Sequence, residues 1–69
     1  MTDAREVVLA DDELSVLRLM AEGDTIDVVA RKLEISERTV RRKARSACDT
    51  LGCETTIEAI VWAVRHGHV

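Results

Sequence analysis

The 69-residue sequence predicts an all-α domain of four short helices. Three observations carry that expectation. The chain has no proline and one aromatic residue, so it is poor in helix breakers and in the residues that favour sheets. Apolar residues recur at three- and four-residue spacing in four separate stretches. Stop signals divide those stretches at Gly23, at a turn over residues 34–36, at Gly52 and at Gly67.

Residues 1–8 read as a linker or lead-in, and the domain as residues 9–69. The first helix is expected over residues 11–22. Asp11, Asp12 and Glu13 suit the positive end of its dipole, and Leu14, Leu17 and Ala21 line one face. The second spans 26–33, with Thr25 as N-cap and Val29, Ala30 and Leu33 facing inward. The third spans 37–51 behind Ser36, with Val40, Ala44, Ala47 and Leu51 forming a narrow apolar stripe. The fourth spans 56–66. Thr55 and Glu58 have capping-box spacing, and this helix carries two apolar stripes. Ala59, Ile60 and Ala63 make one, while Ile57, Val61 and Val64 make another that so small a core has no room to bury.

Composition bounds the function. At 46% hydrophobic and 33% charged the chain is globular. The apolar runs are too short to span a membrane, and no signal-peptide pattern occurs. Cys48 and Cys53 lie five apart, without the spacing of a zinc site or a disulfide framework, and read as packing side chains in a reducing cytoplasm. His66 and His68 flank Gly67 with no third ligand nearby, which is weak support for a metal. There is no phosphate loop and no nucleophile motif. The expectation is a non-enzyme without cofactor or metal.

Charge is the informative property. The net value is −3, yet residues 31–45 hold seven basic and two acidic residues. That local +5 leaves −8 for the remainder. On a helical wheel with Val40 at the origin, Arg38, Arg41, Arg42 and Arg45 fall between roughly 100° and 200°, opposite the apolar stripe. Two helices joined by three residues, followed by a cationic face, form a helix-turn-helix pattern. Guanidinium groups match the acceptors of guanine in the major groove. Ser36, Thr39 and the helix N-terminus suit phosphate oxygens.

The segments VLRLMAEG at 16–23, ISERTVR at 35–41, Leu51 with Gly52, TIEA at 56–59 and HGHV at 66–69 resemble the LuxR-type (GerE-like) helix-turn-helix domain of bacterial transcription regulators. The resemblance implies sequence-specific binding of double-stranded DNA, with the helix at 37–51 in the major groove. It implies base contacts by Arg41, Arg42 and Arg45, flanked by Arg38, and phosphate contacts by Ser36, Thr39, Lys43 and Thr25. It implies a weak homodimer through residues 56–66, built on Ile57, Val61, Val64 and Arg65, with RNA polymerase as a further partner. Domains of this kind commonly follow a phosphoacceptor or ligand-binding domain, as in response regulators. The sequence departs from the family pattern at Ala10, Asp12, Val28, Lys43 and Thr50. Asp12 stands where the family has arginine, and Lys43 where it has histidine. Two other uses of the fold compete: a protein-interaction module, favoured by the overall acidity, and a sigma-factor-like promoter-recognition domain. Trp62 reads equally as a dimer anchor or as core packing beside Leu51.

Overall fold

The computed structural model describes residues 9–67. The lead-in assigned to residues 1–8, and His68 and Val69, lie outside the described residues. Four α-helices follow one another: α1 (Asp11–Ala21), α2 (Ile26–Leu33), α3 (Glu37–Leu51) and α4 (Thr56–Arg65). α1 and α4 each end one residue before the expected boundary, because Glu22 and His66 act as C-caps.

The termini show how side chains set these boundaries. Ala10 offers α1 no side-chain acceptor, so Glu13 reaches back and its Oε1 accepts from the Ala10 N–H at 2.9 Å. Thr25 has the extended backbone of an N-cap, but its hydroxyl donates to the Asp27 carboxylate instead of accepting a backbone N–H. A charged acceptor two residues away outcompetes the capping role. Ser36 does cap α3: its Oγ accepts from the Thr39 N–H at 3.0 Å. Thr55 Oγ1 accepts from the Glu58 N–H at 3.3 Å, whereas the Glu58 carboxylate takes the N–H of Glu54 at 2.9 Å, one residue before the capping-box position.

α2 ends on a left-handed residue that is not glycine. Glu34 has φ 58°, ψ 43°, and the following Ile35 N–H donates to the Ala30 carbonyl at 3.0 Å. α3 closes the same way on Gly52 (φ 73°), with Cys53 N–H on the Cys48 carbonyl at 3.0 Å. This six-to-one bond satisfies a terminal carbonyl and turns the chain sharply. It aims the three residues Glu34, Ile35 and Ser36 so that α3 starts at once.

Two apolar clusters hold the helices. Val16, Val29, Ala30, Val40 and Ala44 form one, flanked by Leu19, Met20, Ile26, Leu33 and Ile35. Leu9, Leu17, Ala47, Cys48, Ala59 and Ala63 form the other, flanked by Leu14, Leu51, Cys53, Ile60 and Trp62. α3 contributes to both, so it is the structural spine of the domain. Its buried positions are three small-to-medium residues and a cysteine, which lets neighbouring helices approach closely. α1 is covered on two sides, by α3 and α4 and more lightly by α2. Its buried centre therefore lies at Val16 and Leu17, and Ala21, expected to face inward, is exposed in the last turn. Trp62 is half-buried against the second cluster together with Leu51, as the core-packing reading requires.

Candidate nucleic-acid interface

The helical period puts Val40, Ala44 and Ala47 in the core and sends Arg38, Arg41, Arg42 and Arg45 to the surface, where all four are exposed. Arg41 lies 3.7 Å from Glu37, and Arg45 lies 3.5 Å from Asp49, each one helical turn away. These carboxylates do not cover the guanidinium groups: the Arg41 side chain is 61% exposed and that of Arg45 81%. Exposed pairs of this sort are weak, on the order of 0–1 kcal/mol, and exchange readily for another anion. Arg38 and Arg42 form no ion pair among the described residues.

At the start of α3 the Ser36 and Thr39 hydroxyls lie 2.8 Å apart and share a hydrogen bond. One face of the helix borders a shallow cleft of about 480 Å³ lined by Ala10, Asp12, Glu13, Thr39, Arg42, Lys43 and Ser46. Lys43 crosses to α1, where its ammonium donates to the Asp12 carboxylate. That hydrogen bond, helped by the positive charge, holds the Asp12 carboxyl below its ordinary 3.8. A second groove of about 320 Å³ is floored by Val40, Ala44 and Cys48, with Arg41 and Arg45 on its rim.

Thr25 stands at the start of α2 and lines neither of these clefts. Its hydroxyl is engaged by Asp27, and this bond is the main cause that lowers the Asp27 carboxyl below 3.8. At the other end of α2 the Lys32 ammonium donates to Asp24 at 2.8 Å, which raises the lysine above its usual 10.5. On α4, Ile57, Val61 and Val64 are 72%, 43% and 53% exposed, at i, i+4 and i+7, with Arg65 exposed beside them.

Sequence reasoning left out the carboxylates of this surface. Glu37 and Asp49 were legible from their four-residue spacing to Arg41 and Arg45. Asp12 was not, because its partner Lys43 is 31 residues away and on another helix.

A short α2, a three-residue turn and a longer α3 with a cationic outer face, braced by α1 and α4, define a helix-turn-helix domain. The family model GerE, bacterial regulatory proteins of the luxR family, matches residues 7–63. The chain belongs to that family, whose domain binds DNA and regulates transcription. No curated protein matches the chain. None of the helices is long and apolar enough to cross a membrane, among the described residues.

Proposed function

We propose that this domain binds specific sequences in double-stranded DNA by laying α3 in the major groove. The observation that carries the reading is the exposure of Arg38, Arg41, Arg42 and Arg45 on one side of a helix whose other side is core. Arg41, Arg42 and Arg45 address base edges, with Arg38 alongside. Ser36, Thr39 and Lys43 address phosphates along the flank, and Thr25 reaches a phosphate only by giving up Asp27. The domain works in the cytoplasm on a two-fold site, pairing weakly through Ile57, Val61, Val64 and Arg65 of α4. The exposure of the three aliphatic side chains supports that pairing, and one short helix buries less than a standard interface.

Selection of a binding site from random duplexes, followed by anisotropy titration, tests the proposal. Arg42→Ala or Arg45→Ala should each cost about 1–3 kcal/mol on the selected site and relax base preference. Log affinity should fall with log salt, by about 0.9 per neutralised phosphate. Affinity that ignores both salt and these arginines would overturn the assignment. A strict monomer on DNA in ultracentrifugation would remove the α4 pairing.

A further inference from the structure

The five cations of α3 differ in what holds them. Arg41 and Arg45 pair within their own helix, and Arg38 and Arg42 form no ion pair among the described residues. Lys43 alone is held by another element. Its side chain is 26% exposed, and its ammonium rests on Asp12 in the first turn of α1. Glu13 lines the same cleft but forms no ion pair with Lys43 among the described residues; its Oε1 accepts from the Ala10 N–H at 2.9 Å.

Resting on the DNA-binding reading above, we infer that Asp12 is an internal competitor for phosphate that sets the affinity of the α3 surface. The Lys43 ammonium has donors only, and its natural ligand on DNA is a phosphate oxygen. Asp12 already supplies an oxygen there. A phosphate that approaches Lys43 also approaches a carboxylate of like charge in the same cleft, beside Thr39, Arg42 and Ser46. Either the phosphate displaces Asp12 and leaves that carboxylate bare, or Lys43 stays with Asp12 and contributes nothing. In both cases the pair presents almost no net charge to the duplex. The Asp12 side chain is 51% exposed, so the pair exchanges with solvent ions and limits binding without blocking it. The carboxyl is ionised at neutral pH, since Lys43 holds it below 3.8.

The test uses the whole chain and a fluorescein-labelled duplex of about 20 base pairs with mixed sequence, titrated between 50 and 200 mM salt. Asp12→Asn is expected to bind about fivefold tighter at 100 mM salt. Its log–log salt slope should steepen by about 0.9, the release of one more counterion, so the gain shrinks about threefold over that salt range. Asp12→Ser, which suits a first helical turn, should behave alike, and circular dichroism confirms that each variant is folded. Glu22→Gln makes the same change of formal charge at the opposite end of α1 and should move affinity less than twofold. Equal gains for Asp12→Asn and Glu22→Gln would reduce the effect to net charge and overturn the inference. Unchanged affinity and slope in both Asp12 variants, with salt-dependent binding by the unaltered chain, would overturn the inference alone. Absence of binding by every form at 50 mM salt would bring down the DNA reading and this inference with it.

Discussion

The Trp62 indole stacks on the His66 imidazole, with ring centroids 4.6 Å apart and planes inclined by 22°, while His66 Nδ1 lies 2.9 Å from the Trp62 carbonyl. The pair closes the last turn of α4 over the cluster that contains Ala47, Ala59 and Ala63. Stacked aromatic pairs contribute about 0.5–1.5 kcal/mol beyond their burial, less where one ring is exposed as His66 is. His66→Ala should therefore cost about 0.5–1 kcal/mol in urea unfolding and shift the emission of the single tryptophan. An unaltered emission spectrum would show that the rings are not stacked in solution.

Glu34 sits in the left-handed region with a side chain attached. That conformation costs an L-residue roughly 1–2 kcal/mol, of which glycine gives back about 0.5–1 as chain entropy. Glu34→Gly should raise stability by about 0.5–1 kcal/mol, read as a higher urea midpoint at unchanged slope. A lower midpoint would mean that Glu34 contributes contacts outweighing its backbone strain.

Acid should weaken the fold through two named carboxyls. Asp12 is lowered by Lys43, and Asp27 by the Thr25 hydroxyl, so the native state favours the ionised form of each. Their contribution is present above the unfolded value near 3.8 and is lost as pH falls through the lower native values. The urea midpoint should drop between about pH 5 and pH 3. Asp12→Asn combined with Asp27→Asn should flatten that drop, and a double variant with the full acid sensitivity would refute the assignment to these residues.

Cys53 is a protected thiol. Burial, followed by a hydrogen bond with the neighbouring Cys48 side chain, pushes it from 9.0 up to about 11. At pH 8 the thiolate fraction is then about a hundredfold smaller than in the unfolded chain, and alkylation should slow in proportion. Mass spectrometry after iodoacetamide treatment, with and without urea, reads this directly. Equal labelling of Cys53 in both would contradict its half-buried, hydrogen-bonded geometry.

The helices were legible in the sequence because their ends carry local chemistry: Gly23, Ser36, Gly52 and Thr55 mark boundaries whatever the rest of the chain does. The four-arginine face was equally legible, since it depends only on the helical period. Features set by competition between groups were not. The Thr25 hydroxyl could accept a backbone N–H as an N-cap or turn its proton to Asp27, and it donates to Asp27. Glu58 chose the amide of Glu54 over that of Thr55. Glu34 occupies a conformation its residue type disfavours, so no local signal announces it. Ala21 fell on the expected face, but the partners of α1 lie to either side of Val16 and Leu17. The Lys43–Asp12 pair needed the packing of α1 on α3 before it existed at all.

Because α3 lies in both apolar clusters while presenting its arginines outward, any ligand held on that outer face would also brace the packing of the whole domain. A duplex bound at 100 times its dissociation constant would add about 2.7 kcal/mol to the folded state. In a chain this small such a gain corresponds to a rise of many degrees in the melting temperature. Heat resistance in the presence of candidate operators thus becomes a way to rank them without any label on the DNA.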